Sequence, residues 1–94
     1  MELRPELEPD VAAQAPDDGS LTDYDHRHLI TYLRLLDADA DEVSWEDAAR
    51  CILRLDPHRH PKASRDTYRS HLQRARWMTE VGYVQLLGAA NDHS

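Results

Sequence analysis

The chain has 94 residues, a formal net charge of −7 and a single cysteine. That length leaves room for one small domain, and Cys51 alone excludes an internal disulfide and fits a reducing cytoplasm. No stretch approaches the ~20 apolar residues that cross a bilayer, and the start lacks the basic and apolar regions of a secretion signal, so no membrane partner is expected.

Residues 1–21 contain Pro5, Pro9, Pro16 and Gly19 among many acids and few large apolar side chains. Such a segment buries too little apolar area to offset its ordering entropy, and it reads as a disordered acidic tail. Residues 22–88 then read as the folded domain and residues 89–94 as a frayed end.

A first helix is expected over residues 23–40. Thr22 is its N-cap, with Asp25 three residues on in a near-match to a capping box. Leu35, His28, Tyr32, Leu36, Leu29 and Leu33 share an arc of about 160°, wider than one packing seam needs. The helix is therefore either central to the bundle or covered by another protein. Asp37, Asp39, Asp41 and Glu42 follow at its C-terminal end, where the helix dipole disfavours acids. They lack the glycine and the spaced glutamate of a calcium loop.

A second helix is expected over residues 45–55, capped by Ser44. Trp45, Ala48, Ala49, Ile52 and Leu53 recur at helical spacing. Pro57 stops it, and Pro61 suits the first turn of the next. A third helix is expected over residues 62–81, closed by a left-handed Gly82. Ser64, Tyr68, His71, Leu72, Ala75 and Met78 form one side of it. Lys62, Arg65, Arg69, Gln73 and Arg76 form the other, within about 80° of one another. Residues 83–87 read as a final short helix or turn. The fold class is all-α, a small three- to four-helix bundle containing a helix-turn-helix with an extended turn.

Charge is unevenly placed. Residues 1–53 carry a net −10, whereas residues 54–76 carry +5. A basic stripe on a helix face suits phosphates and guanine edges, although a charge run is more often a solvated face. Cys51, His58, His60 and His71 match no zinc spacing. No constellation joins an acid, a base and a pocket, so no enzyme, catalytic residue, metal or cofactor is expected. Trp45 and Tyr83 read as core rings, while Trp77 lies toward the edge of the basic stripe.

The blocks His-Leu-Ile-Thr-Tyr-Leu-Arg-Leu-Leu-Asp-Ala-Asp-Ala from His28, Ser-Trp-Glu-Asp-Ala-Ala-Arg from Ser44, Leu-Asp-Pro from Leu55, Ser-His-Leu-Gln-Arg-Ala-Arg-Trp-Met from Ser70 and Gly-Tyr-Val-Gln-Leu-Leu from Gly82 carry a resemblance. Together they resemble the extended-turn helix-turn-helix family of bacterial mobile-element regulators. Some members of that family are the C-terminal halves of transcriptional activators and bind DNA through a basic face. Others are stand-alone acidic antiactivators, and the charge of this chain is similar to theirs. The resemblance then implies a cytoplasmic antiactivator that docks on an activator's N-terminal domain by mimicking its helix-turn-helix module. Excision and conjugative transfer of an integrative element are held off, with a quorum-sensing link and a LuxR-type receptor as a second partner.

Two readings therefore stand. As an antiactivator, the chain needs a docking surface away from the basic stripe, and Ile30, Tyr32, Leu35, Asp37, Asp39 and Asp41 are the expected residues. As a direct DNA-binding repressor, it uses Arg59, Lys62, Arg65, Arg69 and Arg76. The acidic total places nucleic acid second.

Overall fold

A computed structural model describes residue 7 and residues 9–82. Among them the elements are all helical: α1 (Asp23–Arg27), α2 (Leu29–Ala40), α3 (Trp45–Cys51) and α4 (Pro61–Trp77), the last running into a π-helical turn over Met78–Gly82. The expected all-helical bundle is what forms. Residues 83–94, with the expected closing helix and frayed end, lie outside the described residues.

The first expected helix is two helices. Thr22 caps α1 in a complete capping box, its hydroxyl accepting the Asp25 N–H while the Asp25 carboxylate accepts the Thr22 N–H. The run then bends at His28, whose φ of −104° and ψ of 16° leave the α region. The His28 N–H is shared between the Tyr24 and Asp25 carbonyls, and Tyr32 resumes regular bonding to the His28 carbonyl. Hydrogen bonding thus passes through a kink that turns the His28 ring inward, where it is fully buried.

α2 ends at the acidic cluster. Val43 donates to the Ala38 carbonyl and Glu42 to the Asp39 carbonyl, the paired bonds of a Schellman closure. Glu42 takes the left-handed position, with φ 59°, that glycine usually occupies. Ser44 caps α3 as expected, accepting the Asp47 N–H.

α3 stops four residues before the expected end. Arg54 takes a left-handed φ of 56°, while Leu53 turns into the core at 3% exposure. The α3-to-α4 connection is therefore residues 52–60, longer than a common helix-turn-helix turn. Pro61 opens α4 at its first position, where the missing N–H costs nothing. The left-handed Gly82 cap is not formed: Gly82 belongs to the π turn, and no described glycine has a positive φ.

α4 is the spine. One core cluster joins Leu35 of α2, Ala48, Ala49 and Leu53 of the α3 region, and Tyr68 and Leu72 of α4. A second joins Tyr32, Ala75 and Met78, and Leu36 of α2 packs against both. Two small alanines on α3 let it approach α4 closely, with Trp45 and Tyr68 rings 6.3 Å apart.

The reading of residues 1–21 as a disordered tail is corrected for residues 9–21, which form a strap held across the helices. Ala12 N–H donates to the Tyr24 hydroxyl at 3.0 Å, and Ala15 N–H to the Ser70 hydroxyl at 3.0 Å. Arg74 donates to the Asp18 carbonyl at 2.6 Å and the Ser20 carbonyl at 3.0 Å. The strap is held by its backbone, which composition does not report. Apolar burial adds to this hold: Pro9 is buried, Val11 packs against the first cluster and Leu21 against the second.

Candidate nucleic-acid interface

The 3.6-residue repeat of α4 decides which of its side chains meet solvent. Ser64, Thr67, Tyr68, His71, Leu72, Arg74 and Ala75 are buried on one side. Lys62, Arg65, Arg69, Gln73 and Arg76 are exposed on the other. From Lys62 to Arg76 this ridge runs about 21 Å at 1.5 Å per residue.

The ridge borders an open groove of about 350 Å³ between α4, α3 and the end of α2. Trp45, Tyr68 and Leu72 line its apolar part, and Arg65, Arg69 and Arg76 its charged part. Desolvation by burial pushes the Tyr68 hydroxyl up, so this ring stays neutral beside the arginines.

The charges on the ridge are not equivalent. Lys62 pairs with Asp66 at 3.2 Å, one turn along the same helix. Arg76 pairs with Asp39 at 2.8 Å across to α2. Arg65 and Arg69 make no ion pair among the described residues, and their guanidinium groups are available to an anion. Arg59 lies exposed in the turn before α4, its N–H donating to the Asp56 carboxylate at 3.1 Å. All five expected DNA-facing residues are thus exposed, four of them on the α4 ridge.

The expected protein-docking set does not come together. Tyr32 is 1% exposed and Leu35 0% exposed. Both belong to the core, so they are withdrawn from any docking surface. The wide apolar arc of α2 exists because the helix is central: the kink at His28 and the packing of α4 consume most of it. Ile30 is half-buried, Asp37 and Asp41 are exposed, and Asp39 is taken up by Arg76. Leu33, 61% exposed, is instead the large apolar side chain that α2 leaves in water. It lines an apolar hollow of about 240 Å³ with Leu29, Leu36 and Met78.

Beneath the ridge lies an ion pair that sequence reasoning missed. Asp25 accepts from Arg74 Nε at 3.0 Å and Nη2 at 2.6 Å, with both side chains buried, and also from the Tyr32 hydroxyl at 2.7 Å. Burial pushes the Asp25 carboxyl up, but the Arg74, Thr22 and Tyr32 hydrogen bonds outweigh it and hold the group below its ordinary value. Tyr32 is pushed far above the ordinary tyrosine value by burial and by its bond to Asp25. Arg74 also sits 3.8 Å over the Trp77 ring, which is half-buried rather than free. Asp25 had a sufficient local role as a cap, and Arg74 read as one more base in a basic run. Their meeting across 49 residues leaves no mark in local pattern.

Cys51, His58 and His60 are exposed, whereas His71 is fully buried and hydrogen-bonded. Among the described residues no three His, Cys, Asp or Glu side chains are grouped to hold a metal ion. No described helix is long and apolar enough to cross a membrane.

The fold and the ridge define a small helical module that presents a basic helix face away from its core. The chain belongs to the RovC_DNA-bd family, described as "T6SS, Transcription factor, DNA binding domain", which it matches over residues 2–88. No curated protein matches the chain. The family is one of DNA-binding regulators rather than an enzyme class, and it agrees with the expected regulator resemblance at that broader level.

Proposed function

We propose that this chain is a transcriptional regulator that contacts DNA through the exposed face of α4. The observation that carries the reading is the pair Arg65 and Arg69. They project one turn apart from a helix whose opposite side is core, and no described acid neutralises them. An α-helix fits the major groove, where arginine pairs with guanine edges and glutamine with adenine. Gln73, next along the ridge, stands where such a contact falls. Arg59 and Lys62 lie at the start of the helix and suit phosphate contacts that fix its register. Because the chain is −7 overall, long-range attraction to DNA is weak, so binding depends on this local face.

The test is fluorescence anisotropy of a labelled duplex over a series of salt concentrations. Wild-type affinity should fall linearly on a log–log plot; Arg59→Ala and Lys62→Ala should each reduce the slope by about 1, whereas Arg65→Ala and Arg69→Ala should each weaken binding by about 1–3 kcal/mol. A wild-type protein that leaves the duplex free at ~50 mM salt, or an affinity unmoved by Arg65→Ala and Arg69→Ala, excludes this interface.

A second reading is favoured by the apolar hollow around Leu33. As an antiactivator, the chain would dock an activator's N-terminal domain there, with Ile30 and Asp37 on the same helix and Asp41 at its C-terminal cap. This keeps the inhibition of excision and transfer that the regulator resemblance implies, on a surface different from the expected one. Pull-down of an activator's N-terminal domain by wild type but not by Leu33→Asp, with DNA binding unchanged, supports it. Equal capture by both forms removes it.

A further inference from the structure

Below the strap, away from the α4 ridge, lies a cluster of buried rings. His28 and His71 are both fully buried, with ring centroids 6.5 Å apart. His71 is satisfied as a neutral imidazole. Its Nδ1–H donates to the Thr67 carbonyl at 2.7 Å, and its Nε2 accepts from the Tyr24 hydroxyl at 2.5 Å. The Tyr24 oxygen in turn accepts the Ala12 N–H of the strap.

His28 has no such solution. Its Nδ1 lies 2.7 Å from the Tyr24 carbonyl oxygen and its Nε2 2.8 Å from the Asp10 carbonyl oxygen. Carbonyl oxygens only accept, and a neutral imidazole has one N–H. A neutral ring therefore sets a nitrogen lone pair against a carbonyl lone pair on one side. Turning the ring over brings carbon atoms to both oxygens and loses both bonds. The imidazolium alone donates on both sides.

We propose that His28 is a buried imidazolium that latches the residue 9–21 strap onto the α1–α2 kink, and that loss of its proton releases the strap. Every element packed around the ring is compatible with a cation there. From α1, Tyr24 stacks on it at 3.7 Å with 12° between the planes, offering a π face. Asp25 is already neutralised by Arg74 of α4. α2 presents Tyr32, with ring centroids 6.4 Å apart. α4 presents His71, which burial first and the charge of His28 in addition keep from taking a second proton. The strap contributes the Asp10 carbonyl, while Asp10 itself is exposed.

The latch matters beyond its own site because of where the strap runs. Gln14 shares a shallow cleft with Arg69 and Gln73, so the strap borders the α4 ridge. Its release clears one edge of that ridge, whatever the ridge binds. The direction in pH follows from the charged form being the one that bonds. The latch is closed while both ring nitrogens of His28 carry protons, and it opens once the second proton is lost.

The experiment is NMR on the full chain from about pH 5 to about pH 8. Proton–nitrogen correlations of the histidine rings count the protons on His28, while amide exchange protection, corrected for the intrinsic pH dependence, follows Ala12 and Ala15. The expected result is two ring protons wherever those amides are protected. Once the second proton is lost, their protection falls by up to about tenfold per pH unit while that of Leu72 stays constant. A single ring proton beside protected strap amides overturns the latch. So does strap protection indifferent to deprotonation. A His28→Gln variant, whose donors sit on one atom, should lack strap protection at every pH; if it does not fold, the wild-type titration decides alone.

Discussion

Arg74 holds Asp25 by two parallel bonds, 3.0 Å from Nε to Oδ1 and 2.6 Å from Nη2 to Oδ2, in a site closed to water. The same guanidinium donates to the strap carbonyls of Asp18 and Ser20 and lies over Trp77. One side chain thus ties α4 to the α1 cap and to the strap. The arrangement spends a base from the centre of the basic segment on structure and leaves Arg65 and Arg69 as the free charges of α4.

Breaking that pair from one side strands a buried charge. Arg74→Met should cost about 3–5 kcal/mol of unfolding free energy, a large share of what so small a domain holds. Asp25→Ala should be comparably damaging, and the double variant should lose much less than the two losses combined. Urea unfolding followed by circular dichroism measures all three. Additive losses would show that the two groups do not act as a pair.

The same pair sets the response to acid. In the unfolded chain Asp25 takes a proton near its ordinary value of about 3.9; in the folded protein its value is lower. Its contribution is therefore complete above the unfolded value and lost as pH falls through the folded one. The carboxyl carbon of Asp25, titrated by NMR in the folded state, should turn over below the range of the exposed aspartates. A turnover within that range contradicts the assignment.

Asp39 restrains Arg76, and the restraint is weak because both side chains are about half exposed, at 41% and 55%. Asp39→Ala removes one negative charge from the groove and frees one positive one. Stability should change by less than about 1 kcal/mol, while affinity for a duplex at low salt should rise by up to about fivefold. Anisotropy titration reads the second effect and thermal unfolding the first. Unchanged or weaker DNA binding would place the contact elsewhere on the surface.

Much of the architecture was legible from local pattern. The Thr22 and Ser44 caps were read from side chains that bond amides three residues away. The two faces of α4 were read from helical spacing, since one turn of helix brings the relevant residues together without help from the rest of the chain. The exposed basic ridge, and with it the nucleic-acid alternative, followed from that same periodicity. What failed had its cause at a distance. Tyr32 and Leu35 lay on an arc too wide for one seam, and only the packing of α4 and α3 against α2 showed that the arc was core. The strap looked incapable of order because its composition offers little apolar area; it is held through carbonyl and amide groups that every residue carries. The pairing of Asp25 with Arg74 and the Asp10 carbonyl at Nε2 of His28 are likewise decided by tertiary structure. Residues 18 to 49 positions apart meet in each, and charge and hydrogen-bonding capacity become specific only when the fold has removed water from between them.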